Sequence, residues 1–356
     1  MANDLTPRPP RAKETYDDQP FHSVDLPPEV RAPLEPFKGE LPPSPNWFDW
    51  AVAQEPERTF VTSLGINIEA LTWGERGKPG LLLAHGNSAH ADWWSPLGPY
   101  LGKDYRVTSM SLAGMGNSDW REVYRFEDFA ADAEAVSRAT GLYDGGRKPV
   151  YIGHSFGGGQ VFHAAARFPE QMHAAVLVDT GFGGPPPEVL EERKKRAELI
   201  ANIPTADRPS RVYPTIAAAL ARFRLMPPQP TENYYIVDFI ARRSLKRAPL
   251  PEGQMGPDGS GEGWTWKFDP QMWEKLDRSG MGGMMGDAPL PTVSVPLVHL
   301  YGDKSRIIDR RAAGEPSFLG ADIQEIEIPD SHHHVMIDQP LALVAALRTL
   351  LAHWPA

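Results

Sequence analysis

The sequence predicts an α/β protein built on a mostly parallel, doubly wound sheet. Helix-like segments alternate with short apolar runs, and strands that alternate with helices form right-handed β-α-β units. The runs are continuously apolar, as expected for strands buried on both faces. They are KPGLLLAHG, YRVTSMSLAG, PVYIGHS, AAVLVDTG and PLVHLYGD.

The composition narrows the class of protein. The chain has 356 residues, of which 41% are hydrophobic and 23% charged, the usual balance of a soluble globular protein. A net charge of -10 argues against a nucleic-acid surface. Cysteine is absent, which excludes disulfides, thiolate metal ligands and cysteine nucleophiles. The N-terminus lacks a secretory signal and no window approaches ~18 uninterrupted apolar residues, so we expect a cytoplasmic enzyme without a membrane span.

Residues 1–57 are predicted to form a proline-rich N-terminal arm. Eleven of the 37 prolines fall within residues 1–45, where few apolar positions recur with any period. Such a segment cannot bury a core of its own. We expect the arm to be loose or to lie over the main body, where it would cover an apolar patch or reach a neighbouring subunit of a homo-oligomer.

The regular core begins at residue 58, and we predict that it comprises residues 58–183 and 293–356. TFVTSLG and INIEALTWG alternate between apolar and polar residues and meet near Gly65, which predicts an antiparallel strand pair. Four segments have helical patterning: WWSPLGPYL, FEDFAADAEAVSRATG, GGGQVFHAAARFPE and QPLALVAALRTLLAHW.

Residues 184–292 interrupt this pattern, because ordinary connections in such folds have only ~2 to 6 residues. We predict a helical cap, or lid, over the top of the sheet. The segment contains a Gly/Met-rich loop and three amphipathic stretches: PEVLEERKKRAELIANI, TIAAALARFRLM and NYYIVDFIARRSL.

Ser155 is the first candidate for chemistry, since ligands bind such sheets beyond the carboxyl ends of the strands. It follows the apolar run PVYIGH and precedes a helical segment, with Gly153 and Gly157 on either side. This G-x-S-x-G pattern is expected when a serine occupies a sharp strand-to-helix turn that exposes its hydroxyl as a nucleophile.

Four motifs in chain order resemble those of the α/β-hydrolase fold family: HGNS at 85–88, GMGNSD at 114–119, GHSFGG at 153–158 and HHVMIDQP at 333–340. The resemblance covers roughly residues 58–354, and the long insertion lies where this family carries its cap. It implies that Ser155 is the nucleophile. It also implies that the backbone N–H groups of Phe156 and Asn87 form the oxyanion hole.

A general base is expected in SHHHVMIDQP, between the last strand and the last helix. The family pattern places its histidine seven residues before the proline that opens the helix, which selects His333 by counting back from Pro340. His332 and His334 fit less well. Adjacent side chains diverge and no carboxylate spacing supports a zinc site, so we expect neither a metal nor a cofactor.

The acid of the triad departs from the pattern. Much of the family carries it three residues after the glycine that ends the penultimate strand, but here that position is Ser305. Asp303 lies in the same loop, two residues early. Asp179 ends AAVLVDTG, where some members of the family carry their acid. We favour Asp179, because its strand end neighbours that of the nucleophile, and keep Asp303 as the alternative.

The substrate pocket is predicted from aromatic and methionine side chains near the site and in the insertion. Taken together they favour a medium-sized apolar small molecule, although any one of them could be a packing residue. The pocket candidates are Trp93, Trp94, Trp264, Trp266 and Met284.

These observations predict a serine hydrolase of the carboxylesterase or lactonase type, acting through an acyl-enzyme on an ester, lactone or activated ketone. Dehalogenases and epoxide hydrolases resemble this fold but use an aspartate nucleophile, so Ser155 argues against both. Two alternatives stay open: cofactor-free oxygenase or lyase chemistry on the same fold, and a non-catalytic ligand-binding relative.

Overall fold

One large sheet organises the structure, a computed structural model that describes residues 26–182, 211–281, 283–284, 289–308, 319 and 323–354. The strands of these residues are β1 (Glu57–Ser63), β2 (Ile66–Trp73), β3 (Gly80–Ala84), β4 (Arg106–Met110), β5 (Val150–His154), β6 (Ala174–Val178), β7 (Leu245–Pro249), β8 (Glu262–Trp266), β9 (Leu297–Gly302) and β10 (Gln324–Ile328). The large sheet has the order β1-β2-β4-β3-β5-β6-β9-β10. Its first two pairings are antiparallel and the remaining five are parallel, so the predicted fold class is confirmed.

Helices lie between and beside the strands. The α-helices of the described residues are α1 (Pro28–Arg31), α2 (Asn46–Val52), α3 (Gly98–Leu101), α4 (Phe126–Ala139), α5 (Phe156–Arg167), α6 (Ile216–Leu220), α7 (Tyr234–Arg243), α8 (Met272–Lys275), α9 (Val335–Asp338) and α10 (Pro340–His353). Short 3-10 helices cover Glu35–Phe37, Ala91–Trp94, Pro169–Gln171 and Ser279–Met281.

The central strands bury both faces. In β3, Leu81 and Leu83 join the hydrophobic cluster that includes α3, α7 and α10, whereas Leu82 and Ala84 join the one that includes α4 and α5. Successive side chains of a strand point to opposite faces, so a strand covered on both sides must be apolar throughout. This arrangement is the doubly wound sheet that the continuous apolar runs predict.

The hairpin near Gly65 also agrees with its pattern. Ser63 pairs with Ile66, which leaves a two-residue turn made of Leu64 and Gly65. Both turn residues have positive φ, 47° and 82°. Two-residue turns with positive φ at both positions match the twist of the strands they join, and glycine is favoured in them.

Two of the predicted helical segments differ from the structure, and a third lies outside the described residues. WWSPLGPYL is not one helix: a 3-10 turn ends at Trp94, and α3 begins at Gly98 as a separate single turn. Pro96 lies between them and has no backbone N–H with which to continue a helical hydrogen-bond ladder. The insertion is not only helical, since β7 and β8 form a two-stranded antiparallel sheet within it. The stretch PEVLEERKKRAELIANI lies outside the described residues.

The part of the N-terminal segment that is described, from residue 26, packs on the body. Leu34 and Phe48 are buried in the same cluster as α7. The ring of Phe48 lies 4.8 Å from that of Tyr235 and 5.7 Å from that of Phe239, centroid to centroid. In addition, Arg242 donates a 2.6 Å hydrogen bond to the carbonyl of Gly39.

The described helices contain no apolar stretch of the length needed to cross a membrane.

Candidate active site

The nucleophile candidate occupies a strained bend. Ser155 lies between β5 and α5 with φ 53° and ψ -118°, a conformation that costs a non-glycine residue about 1 to 3 kcal/mol. The flanking glycines are required by close approach: a Cβ on Gly153 would overlap the Gly157 carbonyl oxygen, and a Cβ on Gly157 would overlap that of His85. The local sequence therefore fits a sharp turn that projects the serine.

The candidate base and acid are in direct contact. The ring Nδ1 of His333 lies 2.7 Å from Oδ1 of Asp179, and both side chains are buried. Asp179 directly follows β6, and His333 lies in the loop between β10 and α9. Because a carboxylate oxygen accepts, Nδ1 carries the proton of this hydrogen bond, so Nε2 is the ring nitrogen that can act as an acceptor.

Ser305, the serine at the expected acid position, contributes to the same cluster. Its hydroxyl donates a 2.6 Å hydrogen bond to Asp179 Oδ1, and the N–H of Gly302 donates one of 2.9 Å to Oδ2. Asp303 instead accepts a 3.1 Å hydrogen bond from the N–H of Ser331. Of the two acid candidates, the structure brings Asp179 to the histidine and uses Asp303 to hold the loop that carries it.

The three consecutive histidines have different environments. His332 Nδ1 lies 3.0 Å from the carboxylate of Asp338, away from Asp179. The backbone N–H of His334 donates to Gln229 Oε1 at 2.9 Å, while its ring packs 5.3 Å from that of Trp93, centroid to centroid. His333 is therefore the one whose ring meets the candidate acid.

His154, the residue before Ser155, links the nucleophile bend to the loop that carries His333. Its Nε2–H donates a 2.9 Å hydrogen bond to the backbone carbonyl of His333. Burial, followed by the neighbouring His333, holds the pKa of His154 well below its usual value, so this imidazole is neutral. Among the described residues, no hydrogen bond joins the Ser155 hydroxyl to His333. Such contacts are often long in free enzymes and tighten when substrate binds.

The oxyanion-hole candidates adjoin the serine. Phe156 is the first residue of α5, where backbone N–H groups have no partner within the helix. On the other side, a Cβ on Gly86 would lie 3.4 Å from that of Ser155, so the loop that continues to the exposed Asn87 runs past the nucleophile.

His85 anchors this loop. Its Nδ1–H donates to the Gly86 carbonyl at 2.7 Å, and its Nε2 accepts from the N–H of Leu112 at 3.0 Å. Burial lowers its pKa to about 3. A histidine that remains neutral keeps both hydrogen bonds, which hold the loop in place.

Of the predicted pocket residues, Trp93 contacts the histidine loop, and Met284 shares a hydrophobic cluster with Phe156. Trp93 packs on His334, and its indole N–H has no hydrogen-bond partner in the described structure. Met284 is buried in the cluster against which Phe156 packs. Sequence reasoning missed Trp273, which is 45% exposed and packs on the Phe156 ring at 5.5 Å. Its single-turn helix carries no periodic signal that could have identified it.

The other pocket candidates are placed differently. Trp94 is fully buried in the core. Trp266 packs on Tyr213 and Phe223, each at 6.0 Å between ring centroids, and Arg247 lies over the ring of Trp264. These three tryptophans therefore have packing partners within the core and the insertion.

The family follows from a direct comparison. A model of the alpha/beta hydrolase fold matches residues 79–340, which is most of the chain and includes every residue placed in the site above. The chain belongs to the α/β-hydrolase family. The bend at Ser155 and the Asp179–His333 contact both lie within the matched region.

Relatives within the family include several hydrolases. Lipase LipV of Mycobacterium tuberculosis is 26% identical over 294 residues, which is 80% of this chain and 98% of that protein. A non-heme chloroperoxidase of Streptomyces lividans is 36% identical over 157 residues, 40% of this chain and only 55% of that protein. Among solved structures, a thioesterase domain from the curacin biosynthetic pathway shares the fold with a TM-score of 0.61 and 21% identity, covering 83% of this chain and 99% of that one. Family membership and the lipase relative support a hydrolase, whereas the thioesterase domain shows only that the fold is shared.

Proposed function

We propose that the protein is a serine hydrolase that forms an acyl-enzyme on Ser155, with His333 as the general base and Asp179 as the acid of the triad. One observation carries the proposal: the buried 2.7 Å hydrogen bond between His333 and Asp179, in the same site as a serine held in a strained strand-to-helix bend. A carboxylate on Nδ1 fixes the tautomer in which Nε2 can accept the serine proton, and it stabilises the imidazolium that forms.

The reaction proceeds in two halves. As Ser155 Oγ attacks the carbonyl carbon of the substrate, its proton passes to His333 Nε2, and the carbonyl oxygen becomes an oxyanion. Collapse of this intermediate breaks the bond to the leaving group, which takes the proton from His333 and leaves an acyl-serine. Water then repeats the attack with His333 again as base, which releases the acid and restores the serine.

The oxyanion is stabilised by backbone N–H groups in this proposal. Phe156 N–H lies at the start of α5, where the helix dipole also favours negative charge. The N–H of Asn87 is the second donor, on the loop that His85 anchors. A donor of this kind typically contributes about 10²- to 10³-fold in rate.

We further propose that residues 184–292 act as a cap over the site, joined to the core at 183 and 293. Hydrogen bonds between this insertion and the segments that follow the core strands support it. Gln229 accepts from His334 N–H, and Asn233 donates to the carbonyl of Ile337. Beyond β4, the N–H of Asp269 donates to the carbonyl of Gly114.

The proposed substrate is a medium-sized, largely apolar carboxylic ester or lactone, with an activated ketone as the other acyl-type substrate. Support comes from the apolar surroundings of the proposed oxyanion residue. Phe156 packs against Phe126, Phe129 and Trp273, with ring centroids 5.5 to 6.1 Å apart. Aromatic and methionine surfaces of this kind suit an apolar acyl or alcohol group.

The test is covalent labelling. Wild type, Ser155→Ala and the exposed-loop control Ser88→Ala are exposed to a small fluorophosphonate, and the intact mass of each is measured. We expect one adduct on wild type and on Ser88→Ala, and none on Ser155→Ala. Labelled wild type should lose all activity in an ester and lactone panel graded by acyl length.

Other outcomes would redirect the proposal. An adduct on Ser155→Ala would mean that the reactive serine lies elsewhere. Absence of an adduct from every variant, together with turnover in the presence of oxygen and no ester hydrolysis, would favour the cofactor-free oxygenase or lyase alternative. Saturable ligand binding without turnover would favour a non-catalytic relative.

A further inference from the structure

Three histidine rings converge beside the nucleophile. His154, at the end of β5, lies against His333 and His334, from the loop after β10, with ring centroids 4.7 to 5.5 Å apart. One nitrogen from each of the three lies within 4.8 Å of the other two, and all three residues are buried. This set differs from the run of three consecutive histidines, because His332 turns away to Asp338.

The hydrogen bonds of these rings identify which nitrogens are free. His154 uses Nε2 for the carbonyl of His333, and His333 uses Nδ1 for Asp179. Nδ1 of His154 and both ring nitrogens of His334 are buried without a hydrogen-bond partner in the described structure. Burial lowers the pKa of His334, and a backbone group of Met226 lies close enough to its ring to oppose this shift in the way a hydrogen-bond acceptor does, although the geometry of a full hydrogen bond is not reached. Buried polar atoms are nearly always paired, so three unpaired nitrogens in one cluster call for an explanation.

We propose that His154, His333 and His334 form a binding site for a divalent transition-metal ion, and that the bound ion inhibits the enzyme. The ligand atoms are His154 Nδ1, His333 Nε2 and one ring nitrogen of His334. Inhibition follows because the ion takes the lone pair on His333 Nε2 that would accept the serine proton. The inhibitory effect rests on the proposed function, whereas binding of the ion does not.

The partners of the other ring nitrogens favour this assignment. A histidine that binds a metal almost always donates its second ring N–H to a carboxylate or a backbone carbonyl, which fixes the tautomer and aims the lone pair. His333 donates to the carboxylate of Asp179 and His154 to the carbonyl of His333. Two of the three proposed ligands therefore already have the outer hydrogen bonds that metal-binding histidines require.

The chemistry of the ligand set selects the ion. Imidazole nitrogens suit Zn²⁺, Cu²⁺, Ni²⁺ and Co²⁺, whereas Mg²⁺ and Ca²⁺ prefer oxygen ligands. Zn–N bonds of about 2.0 to 2.1 Å in tetrahedral geometry require nitrogens roughly 3.3 Å apart. The three nitrogens now lie within 4.8 Å of one another, so some of them must approach by up to about 1.5 Å when the ion binds. The fourth position would be taken by water or by the Ser155 hydroxyl.

The experiment measures binding and activity separately. Zn²⁺ is titrated calorimetrically into metal-free wild type, Ser155→Ala, His154→Gln and His334→Gln, with His332→Gln as the matched control. Visible absorption of bound Co²⁺ reports tetrahedral nitrogen coordination in the same variants. We expect one ion per chain in wild type, Ser155→Ala and His332→Gln, and at least ~10-fold weaker binding in each of the two ligand variants. Circular dichroism confirms that each variant is folded, and the two ligand variants test the site independently.

In wild type, Zn²⁺ should inhibit the labelling of Ser155 by fluorophosphonate, and a chelator should restore it. The proposal is overturned if wild type does not bind Zn²⁺ at sub-millimolar concentration, if His332→Gln weakens binding as much as His334→Gln, or if Mg²⁺ binds equally well. Binding that leaves labelling unchanged, or increases it, would overturn the inhibitory role. If no serine is labelled even without metal, the proposed function fails, while the calorimetric result still tests the site.

Discussion

Replacement of Asp179 by asparagine tests the assignment of the triad acid. The carboxylate of Asp179 accepts from His333 Nδ1, Ser305 Oγ and Gly302 N. An asparagine whose oxygen still accepts from Gly302 must turn its NH₂ group toward His333. The histidine then keeps its proton on Nε2, in the tautomer that cannot accept the proton of the serine. By analogy with other triads the loss in kcat is about 10⁴-fold, which corresponds to about 5.5 kcal/mol at about 1.4 kcal/mol per decade.

Asp303→Asn is the matched control, because it removes the same charge two residues from Ser305. The oxygen of an asparagine at 303 can still accept from Ser331 N–H, so we expect less than about a 10-fold loss. The assays are kcat/KM on the best ester of the panel and the rate of fluorophosphonate labelling at Ser155. A large loss in Asp303→Asn together with near-normal activity in Asp179→Asn would refute the assignment.

Three further predictions concern stability and the support of the site. Burial lowers the pKa of His85 to about 3 and of His90 to about 4. Below pH 6.5 the unfolded chain therefore binds protons that the folded chain does not, and the free energy of unfolding should be about 4 kcal/mol lower at pH 5 than at pH 7 for the two together. Urea titrations at both pH values measure this, and equal midpoints would contradict it. Gly157→Ala should destabilise the fold by overlap with a backbone carbonyl, whereas Gly159→Ala, which has open space around it, should be neutral or up to about 1 kcal/mol stabilising in thermal unfolding. Ser305→Ala removes one hydrogen bond to the proposed acid and should lower kcat roughly 2- to 10-fold, and an unchanged kcat would show that this hydroxyl is dispensable.

Local signals explain what the sequence could predict. The central strands are buried on both faces, so their consecutive residues are apolar. These continuous apolar runs, alternating with helical segments, predict the fold class. The bend at Ser155 is equally local, because the close backbone contacts of Gly153 and Gly157 exclude any Cβ. The roles of Ser155, His333 and Asp179 stay predictions, and the structure adds the 2.7 Å contact between His333 and Asp179.

Contacts between distant residues explain what the sequence could not predict. The strands β7 and β8 pair across a loop of twelve residues, from 250 to 261, and β7 contains two basic residues and a proline, which conceal any alternation. The meeting of His154 with His334 depends on how the loop after β10 folds back over the end of β5. Neither segment has a sequence pattern that predicts this contact. The sequence analysis therefore considered the consecutive residues His332, His333 and His334, whereas the structure groups His154 with His333 and His334.

Ser305 suggests that the acid of the triad can be carried either after β6 or after β9 in the same fold. A double variant tests this idea. In the sheet β6 lies between β5 and β9, so an acid after β6 or after β9 can approach the same histidine from neighbouring strands. Ser305 Oγ lies 2.6 Å from Asp179 Oδ1, which in turn lies 2.7 Å from His333 Nδ1. An aspartate at 305 extends one atom further than serine and brings an oxygen close to the present position of Oδ1. Asp179→Asn combined with Ser305→Asp should therefore recover at least about tenfold of the activity that Asp179→Asn loses. Ser305→Asp alone should be impaired, because two carboxylates at one buried position cannot both be ionised. A double variant no more active than Asp179→Asn would mean that the position of the acid is fixed by the end of β6 and is not interchangeable with the loop after β9.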